Sequence, residues 1–209
     1  MLTEAPSATK RAVAGGLVLL VIGGVLSLAW YGSPLTPPRR LLPAYGHVPS
    51  VTLIDQRRQA FSPKQLAGSV WIADFIFTRC AGQCPLMSAH MARLQATFRR
   101  QPRLRLVSFT VDPQHDTPEI LTDYGRAYRA DLQRWQFVTG ASGAIRRLVQ
   151  EGFHLALSDG GTPQEPITHS VRLVLVDQQG TIRGYYDATD ARAMERLQAD
   201  ARALLRRGS

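Results

Sequence analysis

The sequence predicts an α/β domain with a mixed central sheet flanked by helices, preceded by an N-terminal transmembrane helix. Three observations point there. From about residue 50 onward, β-rich apolar runs alternate with helical patterns and close on a hairpin and a helix. Residues 12–30, AVAGGLVLLVIGGVLSLAW, carry no charge. The only two cysteines, Cys80 and Cys84, sit three residues apart where a buried strand runs into a helix.

VTLID (51–55) alternates like a short strand, and VWIADFIFT (70–78) has the apolar, β-rich make-up of a buried central strand. Pro85 suits a first helical turn, after which Met87, Met91, Leu94 and Phe98 recur at helical spacing. LRLVSFTV (104–111) predicts a second buried strand. DTPEILTDYGRAY (116–128) opens like a helix, with Asp116 as N-cap, Pro118 in the first turn and Glu119 three residues after the cap. WQFVTG (135–140) reads as a strand, and SGAIRRLVQEG (142–152) as a helix ending at glycine. SVRLVLVD (170–177), the QQG turn and TIRGYYD (181–187) form a hairpin, and a last helix fills 188–207.

The run 12–30 would make roughly 28 Å of helix, close to the hydrocarbon thickness of a bilayer, with Trp30 and Tyr31 at the interface. A cleaved signal peptide is the alternative, with Ser27-Leu28-Ala29 as its cleavage site. Prolines at 34, 37, 38, 43 and 49 mark an extended tether. The expected organisation is a cytoplasmic tail at 1–11, a transmembrane anchor (or uncleaved signal) at 12–31, a tether at 32–49 and one domain at 50–209. The expected address is the inner (cytoplasmic) membrane, single-pass, with the domain on the periplasmic face.

Apolar residues make up 44% of the chain, enough for a real core, which excludes wholesale disorder. The formal charge is +9, carried almost wholly by arginine, since Lys10 and Lys64 are the only lysines. The densest cluster is Arg93, Arg99, Arg100, Arg103 and Arg105, with Phe98 as its only aromatic neighbour. No nucleic-acid motif accompanies the charge, so it reads as a solvated helix face and no nucleic-acid partner is expected.

Four residues make about one helical turn, so Cys80 and Cys84 can face the same side. The helix start favours a thiolate, and Arg79 adds a positive charge, so both thiols are expected to have lowered pKa values. Such a pair can form a disulfide or bind a soft metal. Two cysteines fall short of an iron–sulfur or structural zinc set, and only histidine could complete them. The plain alternative is a buried pair or a disulfide closing too short a loop to stabilise much. Of the histidines, His47, His90, His115 and His154 sit in ordinary surroundings. His169 ends the turn-like stretch SDGGTPQEPITH just before a buried strand, where a loop can face the thiols. Met87 and Met91 could be thioether ligands, but their spacing with Leu94 and Phe98 favours core packing.

FIFTRCAGQCP, FTVDPQHDTPEILTDYGRAY and THSVRLVLVDQQGTIRGYYD together, in order and spacing, resemble the Sco/SenC family. The resemblance covers nearly all of 50–209. It implies a thioredoxin-like fold and copper, as Cu(I) or Cu(II), bound by Cys80, Cys84 and His169. It implies a role in maturing the dinuclear CuA centre of cytochrome c oxidase. The partners would be the apo CuA subunit or a similar copper client, a thiol–disulfide reductant, and the membrane through the N-terminal helix. The family's D-P-x-x-D-T-P pattern falls on Asp112, Pro113, Asp116, Thr117 and Pro118, which reads physically as a turn and helix cap. Two positions depart: Ala81 stands where proline is common, and Thr168 where aspartate is common.

The competing function is a membrane-anchored thiol–disulfide oxidoreductase using Cys80 and Cys84 as a redox-active dithiol. The C-x-x-x-C spacing and His169 favour the copper carrier, which would not turn over a small substrate. A peroxidase of the peroxiredoxin type fits less well, because Thr78 stands only two residues before Cys80.

Overall fold

The computed structural model describes residues 41–160 and 167–207, and for 159, 168, 169 and 207 the backbone alone. Residues 42–209 form one compact unit. The predicted tail, anchor and first part of the tether, 1–40, lie outside the described residues. Among the described residues no helix is long and apolar enough to cross a membrane.

The sheet has seven strands: β1 (Leu53–Asp55), β2 (Ala60–Phe61), β3 (Val70–Ile76), β4 (Leu104–Thr110), β5 (Trp135–Thr139), β8 (Arg172–Val176) and β9 (Ile182–Asp187). Their order is β2-β1-β5-β4-β3-β8-β9. β3, β4 and β5 run parallel in the centre, while β1, β8 and β9 pair antiparallel at the flanks. Every residue of β3 is buried, as its continuous apolar run requires of a strand covered on both faces. The two parallel connections carry helices α1 (Cys84–Thr97) and α2 (Pro118–Ala127). A short helix α3 (Ser142–Arg147) and a final helix α4 (Ala191–Arg207) follow β5 and β9. The mixed sheet predicted from the sequence is therefore present, and α1 begins at the cysteine-proline step with Pro85 in its first turn.

Strand alternation divides the core. Phe75 of β3, Phe109 of β4 and Phe153 pack on one face, with ring centroids 5.0–5.8 Å apart. Asp74, Ser108, Trp135 and Phe137 occupy the other, where Ser88 of α1 meets Tyr124 of α2 at 2.8 Å. Met87 and Met91 are fully buried on α1, in the core-packing role their spacing indicates.

Four details differ from the sequence expectations. The domain takes in residues 42–49, since Leu42 is buried, Tyr45 N–H donates to the Ile182 carbonyl and Val48 N–H to that of Gly180. The helix after β5 stops at Arg147 and continues as a π-turn, Leu148–Gly152, that brings Gly152 against Pro49. The glycine-rich stretch before His169 is flanked by a hairpin of β6 (Leu157–Asp159) and β7 (Ile167–His169). Asp116 is not the N-cap of α2. Thr117 caps it, its hydroxyl accepting from Ile120 N–H, because Asp116 is turned inward.

Gly125 fixes how closely α2 approaches β5. A Cβ there would lie 2.8 Å from a ring carbon of fully buried Phe137. In an open helix interior, glycine to alanine gains about 1 kcal/mol. Here overpacking outweighs that gain, and Gly125→Ala is expected to destabilise by about 1–3 kcal/mol in urea unfolding. A variant more stable than wild type would show that the α2–β5 contact yields freely.

Candidate metal and dithiol site

The site stands where β3 ends. Thr78 and Arg79 follow the strand, Cys80 N–H donates to the Phe77 carbonyl, and a short loop leads to Cys84 at the first position of α1. Both cysteines are free thiols. Cys80 keeps slight exposure at 9%, while Cys84 has none. Their side chains are hydrogen-bonded to each other, so the two sulfurs share one place, as the spacing predicts.

The expected lowering of both thiol pKa values is corrected at Cys84. Burial pushes its thiol well above the ordinary value, and the backbone hydrogen bond at Phe77 offsets only part of that. Cys80 and the buried Asp74 carboxyl nearby push it further up. The helix start favours a thiolate, but desolvation of a fully covered sulfur is the larger effect here.

The loop is held by the segment after β4. Asp116 is completely buried and accepts from Thr78 N–H at 3.1 Å, from Thr78 Oγ1 at 2.6 Å and from Thr110 Oγ1 at 2.5 Å. Thr110 Oγ1 in turn accepts from Asp112 N–H. Asp112 takes the Arg79 guanidinium through Nη2 at 2.6 Å and Nε at 3.1 Å. Arg79, expected to assist the thiolate, is therefore committed to a carboxylate. The D-P-x-x-D-T-P segment forms a turn and a cap, with the cap at Thr117 rather than Asp116, and Asp112 and Asp116 brace the cysteine loop. Nothing in a single segment shows that pairing, because the partners lie more than 30 residues apart in sequence.

Asp74 was not singled out by sequence reasoning. It is the one acid in an otherwise apolar strand, which is the signal that marks it. It is fully buried, and neither carboxyl oxygen has a hydrogen-bond partner of full geometry among the described residues. The Ser108 hydroxyl, which accepts from Trp135 Nε1, lowers its pKa only partly, and burial raises it to about 7.

His169 closes β7 opposite Leu157 in the hairpin register. Leu157 and Ile167 line a groove of about 220 Å³ with Val111 and Asp112, so the hairpin backbone borders the segment that braces Cys80. The His169 side chain lies outside the described part. Of the other histidines, His47 bridges to Thr181, His90 sits on α1 with its pKa lowered by burial, His115 lies in the bracing turn with its N–H donating to the Asp112 carbonyl, and His154 follows the π-turn with a positive φ of 52°. Among the described residues no three His, Cys, Asp or Glu side chains gather as a metal-holding group. Two adjacent soft thiols nonetheless fit a soft cation.

Asp74 makes a pH-dependent prediction. Its folded pKa lies above the unfolded value, so between about pH 4 and 7 the folded chain holds a proton the unfolded chain releases. Stability from this group is full below pH 4, falls as pH rises through 7, and stays low beyond. Asp74→Asn removes the penalty and is expected to exceed wild type by up to about 4 kcal/mol at pH 8, with the gain fading toward pH 4. Urea unfolding at both pH values checks it, and a gain independent of pH would contradict it.

The comparisons with known proteins bear on the same segments. The SCO1/SenC family model matches residues 43–206, which include both cysteines, the bracing loop and His169. A "SCO1 protein homolog" of Bacillus subtilis is 30% identical over 154 residues, 73% of this chain and 79% of that protein. A protein of Stutzerimonas stutzeri, named "Putative copper-binding protein", is 34% identical over 151 residues, 71% of this chain and 72% of that one. Among solved structures, BsSco is described as a member of the Sco family of cytochrome c oxidase assembly proteins and as having a disulfide switch. It superposes with a TM-score of 0.70 at 28% identity, covering 79% of this chain and 96% of that one. The braced cysteine loop, the mixed thioredoxin-like sheet and the family match from residue 43 to 206 agree, and the chain belongs to the SCO1/SenC family.

Proposed function

We propose that this chain is a membrane-held copper carrier that helps assemble the CuA centre of cytochrome c oxidase, with Cys80, Cys84 and His169 as its copper ligands. The observation that carries this reading is the pair of free thiols, side by side, at the end of β3. Membership in a family with copper-binding and oxidase-assembly relatives supports it. Copper is cargo in this reading, taken up and passed on. Thiolate ligands must lose their protons to bind it, so loading releases protons and weakens as pH falls. The raised Cys84 pKa keeps that sulfur protonated until a metal or an oxidant claims it. Cys80, the more exposed of the two, is the natural point of first contact.

A second activity has its own support. The two sulfurs are close enough to hydrogen-bond, and a fully buried carboxyl lies near the inner one. This arrangement suits reversible disulfide formation, with a thiol–disulfide reductant restoring the metal-competent dithiol. The membrane reading rests on the charge-free run 12–30, and it puts the domain on the periplasmic face of the inner membrane.

Anaerobic copper titration of the reduced full chain tests the ligand set. Cys84→Ser, or oxidation of wild type to the disulfide, is expected to abolish tight Cu(I) binding. Oxidised protein that binds Cu(I) as well as reduced protein would remove the cysteines from the site. His169→Ala is expected to lower Cu(II) affinity by at least about 10–100-fold, to lower Cu(I) affinity less, and to leave the disulfide potential nearly unchanged. Unchanged affinity for both copper states would favour the oxidoreductase. Protease added to intact spheroplasts should digest the domain, and full protection would contradict the periplasmic orientation.

A further inference from the structure

Exposed arginines such as Arg147, Arg172 and Arg192 occur elsewhere on the domain, but one pole gathers several of them. Arg57, Arg58, Arg79, Arg126, Arg183 and Arg196 are each ion-paired to an acid. Arg99, Arg100, Arg202 and Arg206 are exposed, and among the described residues none of them has an acidic partner. All four lie at one pole. Arg99 and Arg100 follow the C-terminal end of α1, and Arg202 and Arg206 stand in the last turns of α4. Arg100, Arg202 and Arg206 surround a shallow depression of about 390 Å³ floored by Phe98 and Leu205. The Arg202 guanidinium is fixed over the Phe98 ring at 5.4 Å. Arg134 reinforces the sign of the pole while donating to the carbonyls of Phe98, Arg99 and Gln101, just past the end of α1. The segments 95–105 and 201–209 contain no acid, and Asp131, whose N–H donates to Gln95 Oε1, is an exposed acid nearby.

The described chain also begins at this pole. Arg183 Nη1 donates to the carbonyls of Leu42 and Pro43 at 3.3 Å. Arg183 also lines one pocket with Arg103 and Leu204. The residues that follow the apolar run in sequence therefore enter beside the arginines. The thiols lie at the other end of the sheet. Val70 N–H, at the start of β3, bonds the Arg103 carbonyl, whereas Cys80 follows the end of that strand, about 20 Å away along it.

We propose that this arginine pole rests on the anionic phospholipid headgroups of the membrane that holds the chain, turning the cysteine loop away from the bilayer. The inference rests on the membrane-held reading above. Guanidinium groups converging without acids repel one another, and phosphate oxygens relieve that repulsion through forked hydrogen bonds. Each basic side chain near an anionic leaflet contributes about a fivefold gain in association, so three acting together orient a tethered domain strongly. A short tether adds to this by keeping the pole close to the surface.

The test uses the full chain in lipid nanodiscs, with backbone hydrogen exchange as the readout. Neutral phosphatidylcholine discs are compared with discs rich in phosphatidylglycerol. Retention in neutral discs reports on the anchor alone, so its failure sinks the membrane reading and not the lipid preference of the pole, which phosphatidylglycerol vesicles then measure. The expected result is slower exchange in anionic discs at 97–103 and 200–206, with 78–84 unchanged. About 0.5 M salt should abolish the slowing. Arg100→Gln, Arg202→Gln and Arg206→Gln combined should remove it too. These side chains are exposed, and an unchanged urea midpoint verifies that the fold is kept. Equal exchange in both lipids, protection at the cysteine loop instead, or full protection in the triple variant would each overturn the proposal. Equal exchange in both lipids with slowing on addition of an acidic protein would assign the pole to a protein partner.

Discussion

Asp116 is the residue on which the site depends most. Its carboxylate sits in the core yet takes three hydrogen bonds, two from Thr78 and one from Thr110. Those bonds join the ends of the two central parallel strands. They satisfy an anion that burial penalises, and burial still raises its pKa. The cysteine loop begins two residues after Thr78, so the same bonds set where Cys80 leaves the sheet. Arg79 paired with Asp112 adds an outer brace at the same height. Being half exposed, that pair contributes position more than stability.

The contrast between the two sulfurs follows from this framework. Cys84 starts a helix whose next inward residues, Met87 and Met91, are fully buried, so its thiol is drawn beneath the surface. Desolvation holds the proton on. Cys80 stays at the rim of the loop. A pair with one fully covered and one slightly exposed thiol suits stepwise chemistry, in which an incoming metal or disulfide meets the outer sulfur first and the inner sulfur gives up its proton second. The buried Asp74, with a pKa near neutrality, lies on the same side of the sheet as that inner thiol.

Much of this was legible locally. Strands β3, β4 and β8 appear as mostly apolar runs and β9 as the second arm of a hairpin, and the cysteine-proline step marks where α1 begins. The spacing of the cysteines correctly brings the thiols together. What stayed hidden depends on partners distant in the chain or on burial. Residues 42–49 read as tether because their prolines mask a docking edge supplied by β9. β6 and β7 are three residues each on either side of a glycine- and proline-rich stretch of sequence, too short to show a period. Asp116 looks like a cap because its neighbour Thr117 is one, and only the folded chain brings Thr78 to it. The helix start suggests a thiolate at Cys84, but burial keeps the proton on, and the depth of that sulfur cannot be read from a linear sequence.

The central claim is that the two thiols and one imidazole hold copper together. Copper X-ray absorption on the reduced, loaded full chain tests it most directly. The account predicts sulfur scatterers from Cys80 and Cys84 plus one nitrogen scatterer that disappears in His169→Ala. A copper environment without sulfur, or one unaltered by that substitution, would contradict it.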